Sequence, residues 1–164
     1  ADDHNSGPRL LCSAQMHWEL GMVTERFFEV IRMAQSVHVI SSHKSVVDVI
    51  QRLVPPENVE FIEIPGERLR VSEGNIAVNS EMSNHYPVHY ENVLDSINLS
   101  AKPGSLWLIG AGVLANLYCM RVRENGGVAL DLGTLIDLYA GEKGRGFPSH
   151  LEKHVNAQVA SLRA

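Results

Sequence analysis

The segment SLWLIGAG, residues 105–112, runs through Leu106, Trp107, Leu108 and Ile109 without a polar interruption and then breaks at Gly110 and Gly112. A strand with one wet face alternates apolar with polar residues, whereas an unbroken apolar strand is covered on both sides. Helices cover both faces of a sheet when the strands are parallel and each crossover carries a helix. The segment therefore argues for an α/β fold, a Rossmann-like, mainly parallel sheet with helices on both faces.

The rest of the chain is consistent with that expectation. Thr24 can cap a helix with Phe27, Ile31 and Ala34 at helical spacing, and the β-branched segment SVHVIS (36–41) follows as a strand. Ser45-Val46-Val47-Asp48 reads as a capping box for a helix with Val46, Ile50 and Leu53 on one face, stopped by Pro55 and Pro56. VEFIEI (59–64) alternates as a strand with one wetter face, and Pro65-Gly66 ends it. Residues 66–86 have no period and carry Arg68 and Arg70, which marks a functional loop or a poorly ordered one. Pro87 opens a helix through Leu94 and Ile97. After the 105–112 segment, VLANLYCMRVREN places Val113, Leu117 and Met120 on one helical face, and Gly126-Gly127 stops it. VALDL (128–132) is the next strand, followed by a helix through Leu135, Ile136 and Tyr139. Ser149 to Glu152 form a second capping box, opening a helix with Leu151, Val155, Val159 and Leu162 on one face.

The 164 residues suit one domain. The division expected is a flexible terminus over residues 1–9, polar with Gly7 and Pro8, and a single α/β domain over residues 10–164. A net charge of -5 without a basic block argues against a nucleic-acid partner held through phosphates. Cys12 and Cys119 stand far apart, giving neither a disulfide framework nor a paired metal motif, so a reducing, cytoplasmic setting is the default. No apolar run has the length of a membrane span, and the start lacks the regions of a signal peptide.

Right-handed crossovers place all strand carboxyl ends on one edge, where open α/β folds bind ligands. The loops expected there are Ser41-Ser42-His43, Pro65 to Glu67, Gly110 to Gly112 and Asp131 to Thr134. Gly110-Ala111-Gly112-Val113-Leu114-Ala115 is a G-x-G-x-x-A string between a strand and a helix. Its glycines permit a tight turn and close approach of helix-start amides to a phosphate. Asp131 follows Gly112 by 19 residues, where a dinucleotide fold puts its ribose-binding acid. The string falls late in the chain, however, and a purely structural glycine turn is the competing reading. Asp131 either bonds ligand hydroxyls or caps the helix after Gly133. His43, beside Ser41 and Ser42, can touch a phosphate or act as a base, or be a solvated loop residue. Arg68 and Arg70 can clamp a diphosphate or lie in a charged surface loop. His85 and His89 have a zinc-like spacing but no third ligand nearby, so loop or core histidines are favoured, with no metal residues assigned. His150 and His154 form H-x-E-x-H, not the metalloprotease pattern, and read as a solvated helix start. Cys119 reads as packed and inert.

Over residues 103–146, PGSLWLIGAGVLANLYCMRVRENGGVALDLGTLIDLYAGEKGRG resembles the C-terminal half of GT-D-type glycosyltransferases, with Gly110, Gly112, Gly126, Gly127, Asp131, Gly133, Asp137 and Arg145 at the matching positions. Residues 37–67 are similar to the preceding portion of that family. The resemblance implies transfer of a sugar from a nucleoside diphosphate donor to a glycan acceptor, as in polysaccharide biosynthesis. It implies a donor held at the turn Gly110-Ala111-Gly112 and beside Gly133, with Asp131 or Asp137 on hydroxyls, Arg145 near the diphosphate and Mg²⁺ or Mn²⁺ as a companion ion. The strand-end position adds Ser41 and Ser42 to the donor-binding candidates and His43 to the catalytic candidates Asp131 and Asp137. The family's acidic Asp-x-Glu motif has no counterpart here. The chain is therefore expected to need an upstream segment or another subunit, to rely on arginine and backbone amides, or to bind without catalysing. Two further readings stay open: an NAD(P)-dependent oxidoreductase-type Rossmann domain, which lacks a clear Tyr-Lys or His-Asp arrangement, and a non-catalytic regulatory or interaction domain.

Overall fold

The computed structural model describes residues 16–66, 85–144 and 146–163. Helices α1 (Met16–Met22) and α2 (Thr24–Met33) lead into strand β1 (Ser36–Ser41). Helix α3 (Val46–Ile50), a 3-10 turn (Pro56–Asn58) and β2 (Val59–Glu63) follow. A kinked turn (His85–His89) opens α4 (Tyr90–Ser100), which returns to β3 (Ser105–Ile109). A 3-10 turn (Gly112–Leu114) enters α5 (Ala115–Glu124), then come β4 (Val128–Asp131), α6 (Leu135–Ala140) and α7 (Ser149–Arg163). The N-terminal stretch 1–9, the part of the aperiodic segment that holds Arg68 and Arg70, and Arg145 lie outside the described residues.

The four strands form one all-parallel sheet in the order β2-β1-β3-β4, with Val39 opposite both Phe61 and Leu108, and Ile109 opposite Asp131. The fold is the α/β, Rossmann-like arrangement expected from the unbroken apolar strand. All five residues of β3 are buried. Its side chains alternate between two cores: Leu106 and Leu108 join Val37 and Val39 under α2, α3, α6 and α7, while Trp107 and Ile109 join Ile40 under α4 and α5. Among the described residues, no helix is long and apolar enough to cross a membrane.

Several local expectations are corrected. Val113, Leu117 and Met120 do not face the core: they are 92%, 45% and 60% exposed, and Ala115, Tyr118 and Val122 are buried instead. Both triads repeat at helical spacing, so periodicity alone does not choose between them. The small Ala115 permits close approach to the sheet and Tyr118 fills the space beside α4, and this face removes the larger ring from water. Ser45 makes no side-chain cap; its hydroxyl donates to the Ala140 carbonyl, tying the start of α3 to the end of α6. Thr24 is the first residue of α2, and its hydroxyl donates back to the Gly21 carbonyl. Helix α1 carries Met16, Trp18, Leu20 and Met22 at alternate positions, a spacing that does not signal a helix.

Leu108→Ala is expected to cost about 2–5 kcal/mol because it empties a fully buried site. Leu117→Ser on α5 should stay within about 0.5 kcal/mol of the parent. Urea denaturation of both variants checks this, and a reversed order would contradict the orientation of α5.

Candidate functional site

Strand β1 continues through α3, in the first helical layer, to β2 on one side, and β3 continues through α5, in the second layer, to β4 on the other. The two crossovers thus leave β1 and β3 in opposite directions and over opposite faces. The carboxyl ends of this central pair form the switch point at which open α/β sheets provide a ligand crevice. Ser41-Ser42-His43 and Gly110-Ala111-Gly112 are the loops at that point, and the Asp131–Thr134 turn lies beside them after β4.

The Gly110 amide donates to the Ile40 carbonyl at 2.8 Å, extending the β1–β3 ladder by one bond. A Cβ on Gly110 would stand 2.5 Å from Cγ2 of the buried Ile136, so glycine is required there for packing against α6. Gly112 has φ +54° and turns the chain into the 3-10 turn ahead of α5, a conformation that glycine adopts without strain. Ala111 is buried among the second core and anchors the turn from below.

Across the crevice, Ser41 is fully buried and acts on the backbone: its Oγ accepts from the His43 amide at 3.1 Å, and its carbonyl accepts from the Ile64 amide. This local bond shapes the loop that carries Ser42 and His43. His43 Nε2 lies 3.4 Å from Oδ1 of Asp137, both side chains being nearly buried at 12% and 10% exposure. The structure therefore brings together His43 and Asp137, which lie far apart in the chain. Asp131 is exposed at the end of β4, and its Oδ1 accepts from the Gly133 amide at 2.9 Å. It closes the turn in which Gly133 has φ +47°. Thr134 Oγ1, next along, is buried without a hydrogen-bond partner among the described residues. The chain matches no protein-family model, no curated protein and no solved structure.

Sequence reasoning weighed His85 only against His89 and missed its partner. His85 Nε2 lies 2.7 Å from the Tyr118 hydroxyl, and Tyr118 stacks on Tyr90 with ring centroids 5.7 Å apart. Burial, helped by the nearby His89, pushes the His85 imidazole down to about 4, and burial likewise pushes the Tyr118 phenol up. The i, i+4 pair Tyr86 and Tyr90, with Tyr118 early in the following helix, was the available signal. His150 and His154 are exposed on α7, as a solvated helix start requires. The Cys119 thiol is pushed up to about 11 by burial and by the Asp131 charge, which makes it a poor nucleophile.

Two outcomes follow from this geometry. Gly110→Ala should destabilise the fold by about 1–3 kcal/mol, and combining it with Ile136→Ala should cost less than the sum of the single changes. A double-mutant cycle in denaturant reads this. Because His85 stays neutral in the folded chain while the unfolded chain takes up its proton near the ordinary value of 6.5, the unfolded state binds more protons between 6.5 and about 4. Stability is thus expected to fall as pH drops through that window, with His38, also lowered by burial, acting in the same direction. In melts at successive pH values, His85→Gln should flatten the slope.

Proposed function

We propose that the chain is a glycosyltransferase, or the nucleotide-sugar-binding portion of one, moving a sugar from a nucleoside diphosphate donor to a hydroxyl of a glycan acceptor. The observation that carries this reading is the convergence of the Gly110–Gly112 turn and the His43–Asp137 pair on the two loops and adjoining helix of one switch point. In this reading the diphosphate lies against backbone amides of the glycine turn, where helix-start dipoles favour negative charge. Ser42 and Gly133 border the same edge, and Arg145 keeps the role that the family resemblance gives it. His43 takes the proton of the acceptor hydroxyl as that oxygen bonds to the anomeric carbon. The bond from that carbon to the phosphate oxygen breaks, and the nucleoside diphosphate leaves with the electron pair. Asp137 orients the imidazole and stabilises its charged form.

The resemblance also implies Mg²⁺ or Mn²⁺ at the diphosphate. Among the described residues no three His, Cys, Asp or Glu side chains gather into a ligand set, and Asp131 turns one oxygen to its own loop. An ion held largely by the diphosphate needs only one or two protein carboxylates, and in this reading the backbone amides of the glycine turn share the charge of the leaving group.

The second reading, a nicotinamide-dependent oxidoreductase domain, is favoured by one observation. Asp131 stands at the carboxyl end of the strand next to the one bearing G-x-G-x-x-A, the place of a ribose-binding acid. A thermal-shift panel of sugar nucleotides against NAD and NADP separates the two. Stabilisation by sugar nucleotides, little changed by Mn²⁺ and abolished by Gly112→Val, is the expected result. Stabilisation by a nicotinamide cofactor alone would reverse the ranking. In whatever assembly transfers sugar, His43→Ala should lower kcat about 10²–10⁴-fold.

A further inference from the structure

Helix α4 has 11 residues and runs back from the ligand edge to the start of β3, so its first residue, Tyr90, lies at the carboxyl edge of the sheet. Helix α5 begins at the same edge, just after Gly112. Tyr90 packs against the core that also holds Ile64, just past β2, together with Ala111 and Tyr118. The tyrosines of this corner are ordered as a ladder. Tyr118 is fully buried and fixed through its hydroxyl by His85; Tyr90 stacks on it; and Tyr86, 67% exposed, leans on Tyr90 with centroids 5.6 Å apart. Val88 beside it is 63% exposed. The ladder therefore ends in an exposed ring, backed by a rigid stack, with an apolar neighbour.

We propose that Tyr86, backed by Tyr90 and Tyr118, is a stacking platform for the nucleobase of the nucleoside diphosphate whose phosphates meet the Gly110–Gly112 turn. The inference rests on the nucleotide site proposed above and adds its base-binding element. The surface offered by Tyr86 and Val88 is aromatic and aliphatic, which suits a neutral planar ring and not a phosphate. A nucleobase presents a flat π face to such a ring, and tyrosine recognises that face without discriminating strongly among bases. The two halves of a nucleotide then find complementary surfaces on adjoining parts of one edge. Backbone amides at the glycine turn take the charged half, and the end of the tyrosine ladder takes the flat half. His85 acts as a positioning residue, because its bond to Tyr118 holds the base of the ladder.

Isothermal titration of the full chain with UDP, ADP and inorganic pyrophosphate, using the parent, Tyr86→Ala and Tyr86→Phe, tests the platform. Tyr86 is exposed, so both variants should fold, and a thermal melt verifies it. Tyr86→Ala is expected to weaken both nucleotides about tenfold or more while leaving pyrophosphate unchanged, and Tyr86→Phe should keep parent affinity. Nucleotide binding untouched by Tyr86→Ala would overturn the platform and leave the diphosphate site standing. Equal weakening of nucleotide and pyrophosphate would overturn it as well, since Tyr86 would then act on the phosphates. Absence of nucleotide binding to the parent, with or without pyrophosphate binding, would overturn the platform, and absence of both would also remove the reading on which it rests.

Discussion

Burial of β3 on both faces is the constraint on which the rest of the structure depends. Trp107, Leu108 and Ile109 are fully withdrawn from water, and they point alternately into two separate cores. Each core needs its own helical layer, so the crossover leaving β1 runs over one face through α3 and the crossover leaving β3 runs over the other through α5. That divergence opens the crevice between the ends of β1 and β3. The candidate site is thus a geometric consequence of how the most apolar strand is covered. Polar groups inside this arrangement are accommodated by local bonding. His38 enters the second core, stacked on Trp107 with centroids 4.1 Å apart and planes at 8°, and its ring nitrogens meet Ser36 and Glu60. Desolvation holds that imidazole below its ordinary range despite the neighbouring carboxylate.

What the sequence made legible follows the reach of its signals. The run SLWLI and the alternation of strands with helices carry long-range information, because burial on two faces has few solutions, and the parallel sheet follows from them. The placement of His43, Gly112 and Asp131 at the carboxyl edge of the sheet was legible for the same reason. The facing of α5 was not. Val113, Leu117 and Met120 repeat as well as Ala115, Tyr118 and Val122, and only the tertiary fit of Tyr118 against α4 and Ala115 against the sheet decides between them. The capping box at Ser45 misled similarly: Ser45 meets Ala140, 95 residues away, in place of its own helix, a choice that local sequence does not contain.

Within the site, pairings were harder to read than positions. Asp131 and Asp137 look alike in the sequence, six residues apart around Gly133. The fold separates their tasks, Asp131 closing a turn through the Gly133 amide and Asp137 entering α6 to meet His43. Ser41, expected to touch ligand, is fully buried and shapes the loop through the His43 amide. The His85–Tyr118 bond joins residues 33 apart, and only the side-by-side, parallel packing of α4 and α5 brings them into contact.

The most direct measurement of the central claim is residue-resolved: amide chemical shifts of the ¹⁵N-labelled chain during titration with UDP. The expected result is a saturable set of shifts confined to His43, Tyr86, Val88, Gly110 to Gly112, Gly133 and the start of α5, with β1 and β3 otherwise unmoved. Saturable shifts centred instead on the cavity of about 620 Å³ lined by Ser45, Arg52 and Arg163, with none at Gly112, would contradict the assignment of the ligand site to the switch point.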